Sequence, residues 1–505
     1  MKAGPGLAPG RGGAAQHDVD NIRVQFSDPA VAGEWGGAFG ADIVAVHLNL
    51  LPTGQVLYWE EGGDSHTGEL VDEIRLLHPE TQTISTPTLP PHDIFCSGHT
   101  FLADGRLLVA GGQHAVGPLG SSATSIYNPF TNTWSACQEM HGGRWYPTTT
   151  TLGNGDIVVV SGIMDERLIN VLPQVWHPDT GACGVWRDLT TAQVLAPVNF
   201  LYPWMFLLAH GRLFDAGPGP DTWFLDTSGT GHWAPGPILR FGAARYGGSA
   251  VLYEPSKVLL AGGHSAPPTS TAEVIDLNQP RPAWRTVVPM AFGRRLFNLT
   301  LLADGTVLAT SGTSSPGFNV GKRAVYAAER WNPKTEIWTT MTEMQLPRVY
   351  HSTALLLPDA RVLVGGGGSP AAAWDPPAEG AFDDRRDFEI YSPPYLFKGP
   401  RPIITAAPTE VRYGEAAEVD TVDTQRIAEV TWIRLPSVTH GFDANQRISR
   451  LSFRRVSGSR LAVILPAVAN VSPPGHYMMF LIDQSGIPSV SKIMRLRSAT
   501  PPSKR

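Results

Sequence analysis

One unit recurs along the chain: an apolar stretch, a turn, a second apolar stretch and closing glycines. It is recognisable seven times, at intervals of about 45 to 56 residues. The spacing is close to the roughly 50 residues of a kelch repeat, whose copies bury their apolar faces only by packing against neighbours. The turns of the seven copies are centred on Gly54, Gly105, Gly155, Gly211, Ser256, Gly305 and Ala360.

Each copy predicts a β-hairpin, and most copies continue into a second, outer hairpin that ends on tryptophan, as at Trp134, Trp186 and Trp338. Four strands per copy is the content of one propeller blade. The 53 glycines, 44 prolines and only 17 % charged residues also favour short strands and tight turns. We therefore predict an all-β fold with a seven-bladed kelch-type β-propeller.

The proline-rich segment “EIYSPPYLFKGPRPIITAAP” ends the repeats. Short alternating strands follow it, from “EVTWIRLP” to “SKIMRLR”, at the spacing of an Ig-like β-sandwich. The predicted organisation is a disordered amino-terminal tail over residues 1–25, a propeller over 26–396 and a sandwich over 397–500.

Charge and hydropathy exclude several functions. A formal net charge of -6 without a basic cluster argues against nucleic-acid binding. No apolar run reaches the roughly 18 residues of a membrane span. The first residues lack the apolar centre of a signal peptide, and three cysteines are too few for a disulfide framework. Compartment and the pairing of Cys137 with Cys183 stay open.

A column of mostly aromatic residues lies nine or ten positions ahead of the turns, with Phe297 eight ahead in the sixth copy, and Cys96 is its anomaly. Tyr146 occupies the same offset in the next copy, so the thiol and the phenol should enter the axial channel at one height. The other aromatic residues of the column, Tyr202, Tyr246 and Phe297, are expected to pack blade against blade.

Two histidines complete the candidate set. His351 directly follows Tyr350 in “RVYHS”, and both face the channel only if they lie at a strand end or a bulge. His440 lies in “SVTHGFDANQR”, between two strands of the sandwich, on a segment long enough to enter the propeller axis. Polar neighbours without metal-binding spacing are assigned to loop or capping roles: Asp93, His99 and His114.

These motifs, in this order, resemble the galactose oxidase and glyoxal oxidase family of copper-radical oxidases. The resemblance extends to “IYSPPYLFKGPRP” and the closing “GHYMMFLIDQSGIPSVSKIMRL”. It implies that the sandwich is an E-set domain that contributes a copper-ligand loop. It also implies a mononuclear copper ion held by Tyr146, Tyr350, His351 and His440, and a thioether between Cys96 and Tyr146.

The activity implied is oxidation of a primary alcohol or small aldehyde with O₂, releasing H₂O₂. Tyr146 would carry the radical, Cys96 would tune it through the thioether, and Tyr350 would act as general base. Two nitrogen and two oxygen ligands suit Cu(II), whereas a blue-copper site needs two histidines and a cysteine, and no compact cluster of that kind is visible in the sequence. The resemblance suggests an extracellular monomer, with a cell-surface glycan as a further partner.

The match departs from the family at one position, where Met164 replaces the tryptophan that stacks on the thioether. Met164, His264 or an aromatic residue from another loop are the alternatives for that role. Arg294 and Arg295 either bind a substrate oxygen or form a solvated pair at a strand entrance. The rival function is a non-catalytic kelch propeller that binds a protein or a glycan, and its core would lack the thioether.

Overall fold

The computed structural model of the chain describes residues 28–61, 73–114, 119–165, 168–178, 183–195, 201–264, 266–368 and 384–497. The predicted tail lies outside these ranges. The described helices are short: one α-helix, α1 (Pro29–Ala32), and 3₁₀ helices at Ala192–Leu195, Gly321–Arg323 and Pro394–Phe397. None of them has the length and apolar character needed to cross a bilayer.

The first three blades follow one another in chain order, each as a four-stranded antiparallel arrangement. Blade 1 contains β3 (His47–Leu50), β4 (Val56–Trp59), β5 (Ile74–His78) and β6 (Thr83–Ser85), after the short strands β1 (Glu34–Trp35) and β2 (Phe39–Gly40). Blade 2 contains β7 (Gly98–Phe101), β8 (Leu107–Ala110), β9 (Thr124–Asn128) and β10 (Thr133–Ala136). Blade 3 contains β11 (Thr148–Thr151), β12 (Ile157–Val160), β15 (Gln174–His177) and β16 (Val185–Asp188), with a side hairpin of β13 (Ile163–Asp165) and β14 (Leu168–Ile169).

The next three blades repeat the pattern. Blade 4 contains β17 (Met205–Leu207), β18 (Leu213–Asp215), β19 (Trp223–Asp226) and β20 (His232–Pro235). Blade 5 contains β21 (Ser249–Glu254), β22 (Lys257–Ala261), β23 (Ala272–Asp276) and β24 (Arg285–Val287). Blade 6 contains β25 (Asn298–Leu301), β26 (Val307–Thr310), β27 (Ala327–Asn332) and β28 (Ile337–Glu343).

Blade 7 joins the two ends of the propeller sequence. Its inner strands are β29 (Ser352–Leu356), β30 (Val362–Gly366) and β31 (Asp387–Ser392). The outer positions come from β1 and β2, since Trp35 pairs with Tyr391 and Phe39 with Phe388. The ring is thus closed by hydrogen bonds between the amino-terminal strands and the last blade.

The seven predicted turn centres are confirmed as the hairpin turns between the first two strands of each blade. All seven have positive φ, including the non-glycine residues Ser256 (58°) and Ala360 (69°). Glycine adopts this region without strain, which explains why it occupies the other five centres.

The strands after the propeller form two facing sheets. One has the order β32 (Ile404–Ala406), β34 (Ala416–Thr421), β40 (Arg460–Ile464), β39 (Phe453–Ser457). The other has the order β33 (Glu410–Arg412), β42 (Lys492–Arg497), β41 (Gly475–Asp483), β35 (Ile427–Arg434), β38 (Ile448–Leu451). Their shared apolar core includes Val419, Leu461 and the stacked pair Trp432 and Tyr477. The prediction of an all-β propeller followed by an Ig-like sandwich is confirmed.

One hairpin leaves the sandwich and pairs with the propeller. It consists of β36 (Ser437–Thr439) and β37 (Phe442–Asp443). Asn49 and His47 of β3 pair with Ser437 and Thr439 of β36, so the hairpin extends the inner edge of blade 1. The segment carrying His440 therefore reaches the propeller as an ordered strand pair.

A disulfide links the outer parts of blades 2 and 3. Cys137, which follows β10, is bonded to Cys183, which precedes β16. The two cysteines that the sequence left open are thus a pair, and Cys96 is the free cysteine of the described residues.

Candidate active site

The entrance of each inner strand has a common backbone feature. Six of the residues that lie nine positions ahead of a turn centre have positive φ, one in each of blades 2 to 7. They are Cys96, Tyr146, Tyr202, Gly247, Leu296 and His351. A residue with left-handed backbone interrupts the alternation of a strand and changes the direction of its side chain.

This observation corrects the predicted column by one residue in three blades. Tyr246, Phe297 and Tyr350 are neighbours of the column, whose members are Gly247, Leu296 and His351. Tyr246 is 42 % exposed, whereas Phe297 is fully buried, as packing between blades requires. The sequence pattern placed them one position off because aromatic residues stand on either side of the strained residue.

Backbone hydrogen bonds set the relative height of Cys96 and Tyr146. The amide of Tyr146 donates to the carbonyl of Cys96 at 2.8 Å, and the amide of Tyr202 donates to the carbonyl of Tyr146 at 2.9 Å. Three consecutive blades are therefore locked in register at this level. The predicted approach of the thiol and the phenol follows from this register.

Tyr350 and His351 lie immediately before β29, so the predicted strand end is what lets both enter the site. The positive φ of His351, 64°, turns the two rings onto each other. Their centroids are 3.8 Å apart with 27° between the planes. The phenol oxygen of Tyr350 lies 3.0 Å from that of Tyr146.

His440 is presented at the tip of the β36–β37 hairpin. The hydroxyl of Thr439 donates to the carbonyl of Val46 at 3.0 Å, and its oxygen lies 2.7 Å from Nδ1 of His440. Because a hydroxyl has only one hydrogen, the oxygen must accept the Nδ1 proton of the imidazole. The lone pair of the neutral ring is then on Nε2, which lies 3.7 Å from Sγ of Cys96.

Polar residues at the end of the hairpin and directly after it hold it in place. Oδ1 of Asp443 accepts backbone hydrogen bonds from Ser437 at 3.0 Å and from Gln446 at 2.9 Å. The amide side chain of Gln446 bonds Leu301 N and Leu299 O of blade 6, at 2.9 and 2.7 Å. Arg447 donates to the carbonyls of Asn470, Val471 and Leu207.

The structure brings all five predicted site residues together. Cys96, His351 and His440 have their ligand atoms within 4.8 Å of one another. The ring of His440 lies 5.0 Å from that of Tyr146 and 5.5 Å from that of Tyr350. The residues come from blades 2, 3 and 7 and from the sandwich hairpin.

Burial keeps these groups neutral. It lowers the pKa of His351 to about 3, with the backbone of Gly368 acting in the opposite direction, and it lowers the pKa of His440 well below its usual value. Burial also raises the pKa of the Tyr146 and Tyr350 phenols and of the Cys96 thiol. Neutral imidazoles are ready to bind a metal ion, whereas the phenols need a nearby cation to lose their protons.

The ring nitrogens of His351 test whether the residues fit a metal ion. The side chain is 3 % exposed, and neither nitrogen has a hydrogen-bond partner of normal geometry among the described residues. A buried polar atom without a partner is costly, and a cation at the centre would satisfy it. Two imidazoles and two phenols also form the nitrogen and oxygen set that suits copper.

Cys96 contributes a feature that the sequence did not reveal. Its sulfur with two imidazoles forms a compact group of two histidines and one cysteine, the kind of cluster that was not visible along the chain. The members are far apart in sequence, so only folding brings them together. The adjacent phenol oxygens of Tyr146 and Tyr350 add two hard ligands that a blue-copper centre does not have.

Trp145, not Met164, lies against Tyr146. Their ring centroids are 4.6 Å apart, and the indole of Trp145 lies close enough to the Cys96 thiol to oppose the burial-driven rise of the Cys96 pKa. Met164 is directed to Gly142 instead, and His264 packs on Phe241. The aromatic neighbour stands directly before the tyrosine in “RWYP”, a signal that the sequence offered.

Tyr202 is a further residue of the site. Its ring lies 5.2 Å from Tyr146 and 4.9 Å from His440, and its hydroxyl donates to the Ser97 carbonyl at 3.0 Å. The predicted contact between blades is therefore present, and it occurs beside the reactive groups.

The two arginines of blade 6 have different surroundings. Arg294 is fully buried and donates to Ser311 O at 3.1 Å and to Glu329 at 2.5 Å, so it is not a solvated residue. Arg295 lies over the ring of Phe318 at 4.7 Å, and that ring contacts Tyr350 at 5.1 Å. Arg295 is therefore the arginine next to the site.

Comparisons with known proteins find relatives of both parts of the chain. The glyoxal oxidase N-terminus model matches residues 248–395, and the galactose oxidase-like Early set domain model matches residues 401–496. A galactose oxidase of Gibberella zeae is 27 % identical over 503 residues, covering 92 % of this chain and 70 % of that protein. Along most of its length the chain is therefore similar to proteins of the galactose oxidase and glyoxal oxidase family.

Two further similarities extend the match. The aldehyde oxidase GLOX of Vitis pseudoreticulata is 29 % identical over 441 residues, covering 80 % of this chain and 82 % of that protein. A fungal alcohol oxidase of the AA5 family, solved in complex with copper, superposes with a TM-score of 0.80 at 24 % identity and covers 92 % of this chain and 100 % of its own. These similarities to enzymes support an oxidase and disfavour the non-catalytic kelch propeller.

Proposed function

We propose that the protein is a copper-radical oxidase that converts a primary alcohol or a small aldehyde with O₂ and releases H₂O₂. The observation that carries the proposal is the meeting of Cys96, Tyr146, Tyr350, His351 and His440 in one buried centre. Burying the two unpartnered ring nitrogens of His351 among these groups is unfavourable unless the residues share a ligand.

Four of these residues would hold the copper ion. His440 would use Nε2, because its Nδ1 is engaged by Thr439. His351 would use one of its unpartnered nitrogens, and the phenols of Tyr146 and Tyr350 would bind as phenolates. Copper, when bound, would supply a one-electron redox couple and the positive charge that lowers the pKa of the two phenols.

The fifth residue, Cys96, would become covalently linked to Tyr146. The thiol loses its hydrogen and the phenol ring loses one hydrogen, while a carbon–sulfur bond forms. The two electrons and two protons reduce one O₂ to H₂O₂. A thioether next to the phenol oxygen makes the ring easier to oxidise because sulfur lone pairs delocalise the hole.

Hydrogen bonding explains why Tyr146, and not the adjacent Tyr202, would carry the radical. A phenolate is oxidised more easily than a neutral phenol, so the oxygen must lie where a bound cation can displace its proton. The Tyr146 oxygen faces the Tyr350 oxygen at 3.0 Å. The Tyr202 hydroxyl donates to a backbone carbonyl, which is a very poor base.

During turnover, Tyr350 would accept the hydroxyl proton of the substrate as general base, and the Tyr146 radical would remove a hydrogen atom from its carbon. A free phenol has a pKa near 10, and burial raises the pKa of Tyr350 further, so the deprotonated form requires the cation. Trp145 and Tyr202 shield the Tyr146 ring from water.

Arg295 and Phe318 form the wall next to Tyr350 and are the proposed contacts for substrate. The guanidinium lies close enough to oppose the burial-driven rise of the Tyr350 pKa. A cation at this place favours a substrate with a second oxygen, such as a diol or an aldehyde hydrate. The names of the relatives, a galactose oxidase and an aldehyde oxidase, are consistent with this class.

A second function is supported by the short distance between Cys96 and the histidines. If the thiol stayed free, Cys96, His351 and His440 would bind a metal ion through sulfur and two nitrogens. Such a centre would transfer single electrons or hold zinc. It would not require the covalent modification.

Mass spectrometry separates the two functions. Metal-free protein is loaded with Cu(II) in air, and the intact mass and the peptides are measured. The oxidase requires a loss of two hydrogens and a linked peptide containing Cys96 and Tyr146, followed by peroxide release with at least one alcohol or aldehyde. An intact thiol that binds one metal ion, with no peroxide from any sugar, diol, aldehyde or aromatic alcohol, would instead support the metal site with a free cysteine.

A further inference from the structure

A pair of histidines lies behind Cys96 and takes no direct part in the proposed chemistry. His47 is in β3 of blade 1 and His99 is in β7 of blade 2, with 0 % and 2 % exposure. The sequence predicted a loop or capping role for His99. The structure corrects this, because His99 lies within strand β7 and its buried side chain contacts His47 of the neighbouring blade. Nδ1 of His47 lies 3.0 Å from Nε2 of His99.

The hydrogens of this pair are fixed by its first partner. The backbone amide of Cys96 donates to Nε2 of His47 at 3.0 Å, and an amide N–H is a donor only. Nε2 must therefore be the acceptor, and a neutral His47 carries its hydrogen on Nδ1. Burial lowers the pKa of both histidines well below the usual value, so the neutral form is present.

The same reasoning continues to the sandwich hairpin. His47 donates from Nδ1 to His99, so the hydrogen of His99 is on its own Nδ1, which lies 2.5 Å from the Ser437 hydroxyl. That hydroxyl donates to Oδ1 of Asn49 at 2.6 Å. The result is one directional chain of hydrogen bonds from Cys96 to the start of β36.

Packing fixes the ring that begins the chain. His47 is stacked on Trp59, with centroids 4.7 Å apart and 8° between the planes. The indole of Trp59 donates to the carbonyl of Ile94 at 3.1 Å, two residues before Cys96. The ring of His47 therefore has little rotational freedom, and the direction of the Cys96 amide is fixed with it.

The chain of hydrogen bonds ends at Cys96 and at Ser437. The proposed site needs these two segments to be aligned with each other. Cys96 has φ of 55°, a strained conformation whose buried amide would be unpartnered without His47. Ser437 begins the strand that ends at His440. Blade 1, blade 2 and the sandwich hairpin are thus connected directly behind the thiol.

We infer that His47 and His99 are positioning residues that orient Cys96 for thioether formation and align it with the hairpin of His440. This inference rests on the proposed function for the covalent step. It assigns to the pair no metal ligand and no contact with substrate. His47 sets the thiol, and His99 connects His47 to Ser437.

Two substitutions at His47 provide the test. The amide of His47→Gln reaches the place of Nε2 and can accept from Cys96, whereas the shorter amide of His47→Asn reaches only the place of Nδ1. Metal-free proteins are loaded with Cu(II) in air, and the loss of two hydrogens is followed with time by intact mass. We expect His47→Gln to form the thioether within about threefold of the wild-type rate and His47→Asn to be at least ~10-fold slower, the scale of residues that support a metal site.

A matched control distinguishes positioning from general loss of stability. Tyr58→Phe removes a buried 2.7 Å hydrogen bond to Ala41 O in the same blade without touching Cys96. It should lower the melting temperature and leave the rate of thioether formation unchanged. If His47→Asn does not fold, His99→Phe keeps the ring and removes both nitrogens, and it should slow thioether formation in the same assay.

The outcomes are distinct. Equal rates for the wild type, His47→Asn and His99→Phe would overturn the positioning role and leave the proposed function intact. No thioether in the wild type would contradict the proposed function itself. Slow formation in His47→Asn with recovery in His47→Gln supports the inference, because a purely structural defect would not depend on which nitrogen position is retained.

Discussion

Blades 2, 3 and 7 differ from blades 5 and 6 at one equivalent position. Cys96, Tyr146 and His351 have φ of 55°, 63° and 64°, and Gly247 and Leu296 have 72° and 60°. The backbone conformation is therefore the same in all five blades, although only blades 2, 3 and 7 of these five carry a reactive side chain at this position. The left-handed backbone at this position is thus a general feature of the propeller blades, and the side chain at the position decides whether the blade contributes a reactive group.

The strain at these positions is maintained by contacts between blades. A non-glycine residue in this region costs about 1–3 kcal/mol. Leu296 has the conformation without any reactive role, and its amide donates to the Gly247 carbonyl at 2.5 Å. The same bond links Tyr146 to Cys96 at 2.8 Å. A scaffold bond thus sets the geometry of the site before any cofactor forms.

The largest effect is expected for a reactive position. Cys96→Ser keeps the size and the backbone but prevents the thioether, so turnover should fall by about 10³-fold or more, as when a member of a catalytic unit is removed. Peroxide release and intact mass measure this. Ser97→Ala, at the adjacent buried residue, is the control and should leave peroxide release and the intact mass unchanged. Normal turnover by Cys96→Ser would show that the cysteine of blade 2 is no more important to the reaction than Gly247 or Leu296 of blades 5 and 6.

A smaller effect is expected for the hairpin that brings His440 to the ring. Gln446→Leu removes the bonds to Leu299 and Leu301 of blade 6. Copper affinity and turnover should fall about 10- to 100-fold, as for other residues that orient a metal ligand. Gln484→Ala, an exposed glutamine of the same domain, is the matched control. Unchanged copper affinity in Gln446→Leu would mean that β36 alone holds the histidine.

The reactive position of blade 7 also titrates, unlike that of blade 6. Burial lowers the pKa of His351 from 6.5 to about 3, so the unfolded chain binds the extra proton between these values. Stability is therefore fully present above pH 6.5 and is lost as the pH falls toward 3, at up to about 1.4 kcal/mol per pH unit for one histidine. Urea unfolding of the metal-free protein should show this slope, and His351→Gln should reduce it; an equal slope would assign the loss to other buried histidines.

The smallest effect is expected at Leu296, the equivalent position of blade 6, which carries no reactive group. Leu296→Asn retains the backbone, because asparagine adopts the left-handed region more readily than leucine, and it loses an apolar contact. These terms oppose each other, so we expect a change of less than about 1 kcal/mol in the free energy of unfolding and turnover within twofold of the wild type. Chemical denaturation and peroxide release measure both. A large loss of turnover would mean that blade 6 also takes part in the site.

The repeats made the fold predictable. Turn residues such as Gly105 and Gly155 report local backbone conformation, and apolar alternation reports which strand face is buried, so both are readable along the chain. The family motifs around Cys96, Tyr146, Tyr350, His351 and His440 likewise named the groups that the structure brings together. The assignment of Tyr146, Tyr350, His351 and His440 as copper ligands, and of Cys96 to the thioether, stays a prediction.

Other features depended on contacts between distant segments. The column nine positions ahead of the turns was misplaced by one residue at Tyr246, Phe297 and Tyr350, because the residue type does not reveal φ. Trp145 was passed over for Met164 because the neighbour of a ring is decided by side-chain direction. The partner of His47 is 52 residues away in sequence.

The sequence by itself determined seven blades, a sandwich and the set of reactive residues, because local periodicity and turn chemistry act within one segment. Only the tertiary structure decided which groups lose water together, which nitrogen of His440 is free and which two tyrosine oxygens face each other. Those properties arise from the distance between blades and from the hairpin that the sandwich adds to the first blade. Burial then converts ordinary thiol, phenol and imidazole groups into one coupled centre.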